Sequence, residues 1–337
     1  MYREGSEGSE VGNRFGTAFP PPILHNKIRA IRLILGSIER SPLKARFIFN
    51  PHSGSNRRNP YLRDRALEFI AQRGWDAIVV STTHPRHATE LAREAVADGC
   101  ELVIAIGGDG TMNEVATGLI GTNVIFGLIP CGSGNGLGRH VGVPGPGKGA
   151  FSTLAEGEPM AMDTGLINGD PFFCAAGVGF EALIAGRFAV LTNRGFSGYL
   201  KTGLKAWFSY RPEAYTIHHA GGKTRVEALT LAIANSAQYG NNAFIAPGAS
   251  ICDGVLNLTA VPRVNFFNAI PLFWRLFHGS LDRVPSVVML HGDSFVIERD
   301  KPGWVHTDGE PRAEASRLEI TVRPKSLRIM VPRGRRI

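Results

Sequence analysis

The chain has 337 residues, enough for about two domains. Its 43% hydrophobic and 20% charged residues supply ample material for a core and exclude wholesale disorder, and its 41 glycines and 21 prolines follow no fixed period, which excludes collagen-like and coiled-coil designs. The net charge of +8 attracts nucleic acid, anionic lipid or phosphorylated ligands without choosing among them, and it also favours solubility.

Residues 1–22 read as a loose tail rich in Gly, Ser, Glu and Pro. From Ile23 to Arg40, Leu24, Ile28, Ile31, Leu35 and Ile38 recur at steps of four and three among Lys27, Arg29, Arg32 and Arg40. That spacing predicts an amphipathic basic helix, with packing on the body or a partner chain favoured over an anionic membrane. The polar start does not read as a secretory leader, and no run of about 18 apolar residues free of charge reads as a membrane span. Cys100, Cys131, Cys174 and Cys252 form no CxxC pair and read as small buried hydrophobes in a reducing compartment. A cytoplasmic protein is expected.

From Arg46 to about Gly149 strand and helix patterns alternate. Ala45–Phe49, Asp76–Val80, Glu101–Ile106 and Val124–Ile129 read as strands. Helices are expected after Asn59-Pro60, through Ala88–Val96 and from Thr111. Alternation of this kind implies parallel βαβ units in a doubly wound α/β domain. The strands end in NPHSG (50–54), STTHPRH (81–87), GGDGT (107–111) and PCGSGN (130–135). The carboxyl ends of parallel strands share one sheet edge, where ligands bind.

Beyond Met160 the texture becomes β-rich, with strands expected over 161–177, 214–236, Val287–Val296 and Leu318–Val331 and helical patches over 180–210. Asp163 reads as a turn residue opening this half. The aromatic stretch 264–281 reads as a core helix or hairpin, ahead of a lipid-pocket wall or a membrane-facing patch. The expected division is a tail and helix over 1–43, an α/β nucleotide domain over 44–157, and a β-rich sandwich-like domain over 158–337 whose end returns to the first.

GGDGT is the sharpest chemical signal. Gly107, Gly108 and Gly110 permit close backbone approach, and the following helix offers free N–H groups to an anion. Asp109 in such a loop suits Mg²⁺ or a proton-donating hydroxyl. The loops around Asn50 and Ser133 add hydroxyls, amides and backbone N–H groups, an inventory that suits a polyphosphate and a nucleoside. A P-loop signature is absent, and so is G-x-G-x-x-G after the first strand, against a dinucleotide-dependent dehydrogenase. No catalytic role is assigned to His52, His84, His87, His140 or His306.

NPHSG at 50–54, GGDGTMNEV at 107–115, PCGSGNGLGRH at 130–140, GVGFEA at 177–182, CDGVLNL at 252–258 and DGE at 308–310 together resemble the diacylglycerol kinase catalytic family, which includes bacterial lipid kinases and sphingosine kinases. GGDGT alone is shared with NAD kinases and phosphofructokinases; the extension through Asn113-Glu114-Val115 points to lipid kinases. Gly132–Gly136 is closer to the sphingosine kinase form, and Glu181 stands where Asp is usual.

The resemblance implies an ATP-dependent kinase of diacylglycerol or a related lipid, sphingoid bases included, using Mg²⁺, with the lipid entering between two domains. It implies ATP contacts from Asn50, Pro51, Ser53, Gly54, Thr82, Gly107, Gly108, Asp109, Gly110, Thr111, Asn113, Glu114, Gly132, Ser133 and Asn135. It implies Asp308 as general base with Glu310 beside it and Asp109 as a further catalytic carboxylate. It also implies Ser250, Asp253 and Val255 as a Mg²⁺ site, the Ser and Val acting through backbone carbonyls. Peripheral contact with an anionic membrane is an expected partner and nucleic acid is not; a homodimer stays open. A soluble-metabolite kinase of NAD kinase type and a catalytically silent lipid or nucleotide binder are the competing classes.

Overall fold

A computed structural model describes residues 42–57, 61–143, 145–189 and 210–335. The helix expected over Ile23–Arg40, the tail before it, the Asn59-Pro60 helix start, residues 190–209 of the expected helical patches and the basic Arg336 lie outside the described residues.

Four parallel strands, β1 (Lys44–Phe49), β2 (Asp76–Ser81), β3 (Leu102–Gly107) and β4 (Ile125–Pro130), lie in the order β2-β1-β3-β4. β3 (LVIAIG) is buried throughout, as a central strand covered on both faces must be. The period-2 alternation of β1 shows which helix covers each face. Phe47 stacks towards α1 (Tyr61–Arg73), its ring 6.4 Å from Phe69, which in turn lies 5.3 Å from Phe151 of α5 (Lys148–Glu156). Arg46, pointing the other way, pairs with Glu94 of α2 (His87–Ala97) and with Asp98 just beyond it. α2 packs against α3 (Asp109–Leu119), where Gly118 allows the approach: a Cβ there would lie 2.7 Å from that of Ala92. The first lobe is therefore doubly wound. A short α4 (Gly136–Val141) follows the loop after β4.

The remaining strands are β5 (Glu158–Ile167), β6 (Asp170–Phe172), β7 (Ala175–Gly179), β8 (Glu213–His219), β9 (Gly222–Ala228), β10 (Thr230–Ala234), β11 (Leu256–Val261), β12 (Val288–Gly292), β13 (Ser294–Arg299), β14 (Gly303–Thr307), β15 (Glu310–Glu314) and β16 (Arg317–Val331). α6 (Phe180–Ala189) follows β7, and α7 (Phe266–Phe277) joins β11 to β12. One sheet has the order β12-β11-β10-β7-β14-β15. It packs through Val178, Leu231 and Val305 onto Phe295, Ile297, Leu318 and Ile320 of the other sheet, a sandwich of two apolar faces.

β16 joins the lobes. Its first part runs antiparallel to β13, and its last part lies parallel to β4 through Arg328 and Ile329. The long sheet therefore continues β4-β16-β13-β8-β9, with β5 also paired to β16. A register shift between Arg323 and Leu327 separates the two parts, and Lys325 sits there with φ of +50°.

Asp163 holds that bulge. It does not open the second half as a turn residue; it lies inside β5, fully buried. Its carboxylate accepts the amides of Lys325 (2.7 Å) and Gly254 (2.6 Å), its own N–H donates to Ile251 O, and its carbonyl accepts from the Asn235 side chain. The sequence around it reads as a turn because Asp is rare in strands; the two buried amides are what make a carboxylate tolerable there.

The segment 264–281 is a helix but not a core helix. Leu272 and Leu276 pack inward, while Phe267, Ile270, Phe273 and Trp274 are exposed. Its polar residues are confined to the narrow stripe of Asn268 and Arg275, so the spacing does not show which part of the wide apolar face is covered. No described helix is long and apolar enough to cross a membrane.

Asp163→Asn keeps the shape but turns one acceptor into a donor facing a buried amide. It should lower the unfolding free energy by about 2–4 kcal/mol in urea titration. A loss under about 0.5 kcal/mol, the size of an ordinary surface change, would remove Asp163 as the tie between β5, β16 and the 250–255 loop.

Candidate active site

Three of the four strand-end loops interlock at one edge of the parallel sheet. Asn50, at the end of β1, donates through its side chain to Thr111 Oγ1 (2.8 Å) and accepts the amide of His52. Ser53 Oγ accepts the amide of Gly108 (3.1 Å). Asp109, the first residue of α3, takes the amides of Asn135 and Gly136 on its two carboxylate oxygens (2.9 and 2.7 Å). NPHSG, GGDGT and GSGN are thus bonded to one another before any ligand arrives.

Glycine is required where these backbones touch. A Cβ on Gly54, at φ +51°, would lie 1.6 Å from Cys131 O, and one on Gly132 would lie 2.8 Å from Gly108 Cα. A Cβ on Gly108 would meet nothing closer than 3.4 Å. Gly108 is therefore free of steric need on the protein side. It also caps α3, an eleven-residue helix whose N-terminal N–H groups open onto this edge.

Pro51 and Asn113 are half-buried, Ser133 is exposed, and Thr111 and Thr82 are buried. Thr82 extends β2 against Phe49 O. Glu114 turns to the second loop, where its carboxylate accepts the amides of Arg86 and Ala88 (both 3.1 Å) and so fixes the start of α2. Burial raises the Cys131 thiol, which lies 3.6 Å from Ser53 Oγ, and keeps it protonated.

The DGE turn between β14 and β15 faces this edge from the other lobe: a Cβ on Gly110 would lie 3.3 Å from Glu310 Oε1. Asp308 stands in the left-handed region at φ +49°. Its Oδ2 accepts from Phe173 N (2.7 Å) and its Oδ1 from Cys174 and Ala175 N (2.8 and 2.9 Å). Desolvation raises its pKa above the usual carboxylate value, opposed by those three amides and by His306. Oδ1 is saturated; Oδ2 keeps one acceptor position. The pKa of Glu310 is also raised, by desolvation first and then by the charges of Glu114 and Asp308, with Arg86 opposing. The charges of Asp308 and Asp109 both act on the buried Cys174 thiol, raised well above its ordinary value chiefly by burial.

Beside the turn sits a group that motif spacing did not reveal. Tyr239 donates to Glu181 Oε2 (2.6 Å), and His306 Nε2 lies 3.5 Å from Glu181 Oε1. His306 Nδ1 accepts the amide of Gly309, which assigns its proton to Nε2, facing Glu181. Glu181 is flagged in the sequence as a departure at the strand-to-helix turn; Tyr239 and Asn235 carry no such signal, since their partners are distant in the chain.

Ser250, Asp253 and Val255 share the turn before β11. Asp253 is exposed, and its Oδ1 accepts the amide of Val255 (3.0 Å). One exposed carboxylate with backbone carbonyls is a hard, oxygen-only donor set that suits Mg²⁺. The turn is separate from the DGE turn and is held from beneath by the bond from Gly254 to Asp163.

Residues 44–167 match the diacylglycerol kinase catalytic domain, and residues 175–331 match the YegS C-terminal NAD kinase beta sandwich-like domain. A diacylglycerol kinase of Bacillus subtilis (strain 168) is 27% identical over 272 residues, covering 79% of this chain and 89% of that protein. A protein of Chromohalobacter salexigens named "Probable lipid kinase YegS-like" is 33% identical over 216 residues, 62% of this chain and 69% of its own length. Among solved structures, one titled as a diacylglycerol kinase from Bacillus anthracis str. Sterne superposes with a TM-score of 0.65 at 19% identity, over 87% of this chain and 98% of that one. An α/β parallel-sheet domain followed by a β-sandwich-like domain, carrying these matches along most of its length, places the chain in the diacylglycerol kinase catalytic family.

Proposed function

We propose that the protein is an ATP-dependent lipid kinase that transfers the γ-phosphoryl group to a free hydroxyl of diacylglycerol or a closely related lipid. The observation that carries this reading is the meeting of two unlike walls. One is a rigid set of glycine-rich loops with amides and hydroxyls at a sheet edge. The other, against Gly110, is a carboxylate turn from the second lobe.

Phosphoryl transfer depends on positioning and charge neutralisation more than on covalent chemistry. The amides at the start of α3, with Ser53, Gly108, Gly110 and Ser133, cradle the phosphates. Asp109 and Asn50 act as clamps that set the spacing of the loops. Asp308 Oδ2 accepts the proton of the lipid hydroxyl as its oxygen attacks the γ-phosphorus, and ADP leaves. Glu310, at the mouth of the same turn, and Arg86 shape the local field. Mg²⁺ bound with the nucleotide would supply charge neutralisation on the phosphates, and Ser250, Asp253 and Val255 would hold a second Mg²⁺ at the turn before β11. Incubating the protein with labelled ATP and a panel of diacylglycerols, sphingoid bases and NAD, with product identification, tests the reading. Turnover of NAD alone would replace it with the soluble-metabolite class, and no turnover of any acceptor with the silent class.

The two glycines at the loop contact should separate stability from binding. Gly108→Ala should leave the melting temperature within about 2 °C of wild type, since its Cβ is accommodated. It should still raise the KM for ATP by about tenfold, by standing where phosphate approaches. Gly132→Ala should destabilise the fold, since its Cβ meets Gly108 Cα. Unchanged KM in Gly108→Ala would remove this face from the nucleotide site.

Asp308→Asn should lower kcat by about 10²–10⁴-fold with little change in ATP affinity. Because burial raises the Asp308 pKa, the ionised base is lost as pH falls through a value above the usual carboxylate range. The wild-type kcat/KM profile should therefore carry an acid limb at that position, and the limb should disappear in Asp308→Asn. A variant with near-normal kcat would transfer the role of base elsewhere.

A further inference from the structure

Helix α7 is apolar except for a narrow stripe at Asn268 and Arg275, and the fold covers one side of the apolar face. Leu272 and Leu276 pack on the cluster that contains Ala175, Ala246, Val261 and Leu281. On the other side Phe267 is 81% exposed, Ile270 62%, Phe273 63% and Trp274 56%. Large apolar side chains gathered in this way mark an interaction surface. With twelve residues α7 is too short to span a bilayer, but the length suits a helix lying in the plane of an interface.

The surrounding charge selects the occupant. Arg263 and Arg283 are exposed at the two ends of α7 and Arg275 is half-buried on it, while Asp282 is the one acid between residues 262 and 285. Cations flanking an apolar, tryptophan-bearing face complement an anionic membrane, whose surface attracts each Lys or Arg near it. The position of the helix points the same way. Phe244 N donates to Leu276 O (2.8 Å), and Asn241 N in the same short segment donates to Gly134 O (3.4 Å) in the fourth strand-end loop. Ala175, in the cluster beneath α7, gives its amide to Asp308. The helix therefore rests on the same pieces of backbone that shape the cleft.

We propose that α7 is a membrane-docking element that lies in the interface of an anionic bilayer, with Phe267, Ile270, Phe273 and Trp274 among the acyl chains and Arg263 and Arg283 at the headgroup phosphates. Docked in this way, it holds the cleft over the leaflet from which an acyl-chain acceptor is drawn; this consequence, though not the docking itself, rests on the lipid-kinase reading.

The test is co-sedimentation of the full chain with phosphatidylcholine vesicles, with and without phosphatidylglycerol, run beside kinase assays on a water-soluble short-chain diacylglycerol. Wild type should bind the anionic vesicles. Phe273→Ser/Trp274→Ser should bind about tenfold more weakly or worse, with its melting temperature and its turnover of the soluble acceptor retained. Ile270→Ser gives a second, milder variant. Arg263→Gln/Arg283→Gln should weaken binding to anionic vesicles, with a deficit that shrinks as salt rises. Wild type that ignores anionic vesicles, or a Phe273→Ser/Trp274→Ser variant that binds them as wild type does, overturns the proposal. So does a wild-type dimer that the double variant splits without changing vesicle binding, which would assign the face to a second copy. Vesicle binding with no turnover of any lipid upholds the docking helix and refutes the lipid-kinase reading; turnover of the soluble acceptor without vesicle binding does the reverse.

Discussion

The arrangement of the two lobes depends on the buried carboxylate of Asp163. By accepting the amides of Lys325 and Gly254 it fixes the bulge at which β16 passes from the sandwich to the parallel sheet. The same residue reaches the catalytic wall through Asn235. The Asn235 side chain donates to the carbonyls of Asp163 and Phe173, and its amide donates to Cys174 O. Phe173 and Cys174 in turn supply two of the amides that hold Asp308. A chain of short hydrogen bonds, fully buried at Asn235, thus runs from the inter-lobe crossover to the proposed base, with Asn235 Oδ1 left as its one buried atom without a hydrogen-bond partner.

The acidic residues are sorted by how many acceptor positions the protein itself fills. Asp163 meets two backbone amides in the core, and both oxygens of Asp109 take amides from the end of the fourth loop, after β4. Glu114 is occupied by the turn before α2. Asp308 has one oxygen saturated and one half used, and Glu310 stands exposed at the mouth. Each of Asp163, Asp109, Glu114 and Asp308 anchors backbone amides, and each oxygen that takes a single amide keeps a further acceptor position. Asp308 is set apart by burial, which raises its pKa above the usual carboxylate value against the pull of its three amides. Its place in the turn that faces Gly110 supports Asp308 as the proposed base, while Asp109 ties its own loop to the one that follows β4.

The sequence made the first lobe largely legible because local rules governed it. β3 is a continuous apolar run, the helices between strands carry 3.6-residue patterns, and the strand ends collect glycine and hydroxyl residues. The second lobe resisted because its decisive contacts are remote. Lys325 lies 162 residues from Asp163, and Asp308 lies 135 from Phe173. Asp163 therefore looked like a turn, and Tyr239 and Asn235 looked like nothing in particular. The 264–281 stretch is ambiguous for a different reason: its apolar face is so wide, broken only at Asn268 and Arg275, that spacing does not show which part of it is buried. The motif blocks mark loops that meet at one sheet edge, but which oxygens remain available there depends on hydrogen bonds that no spacing displays.

One device recurs at each of these points. Arg86, Asn135 and Lys325 occupy the left-handed region without being glycine, a conformation that side chains ordinarily avoid at a cost of about 1–2 kcal/mol. In each case a carboxylate accepts the amide of that residue: Glu114 that of Arg86, Asp109 that of Asn135, Asp163 that of Lys325. A charge-assisted bond contributes enough to offset the strain, and it fixes the turn in a way that glycine, with its freedom, would not. Asp308 is the inverse case, since it is itself left-handed and its own carboxylate is gripped by three amides. Two of these four turns, those at Asn135 and Asp308, border the cleft, and the Arg86 turn carries a charge that acts on Glu310. The turns around Gly110 and Asp109 are therefore held in left-handed conformations by ionic hydrogen bonds, which gives this edge a fixed shape before any ligand enters.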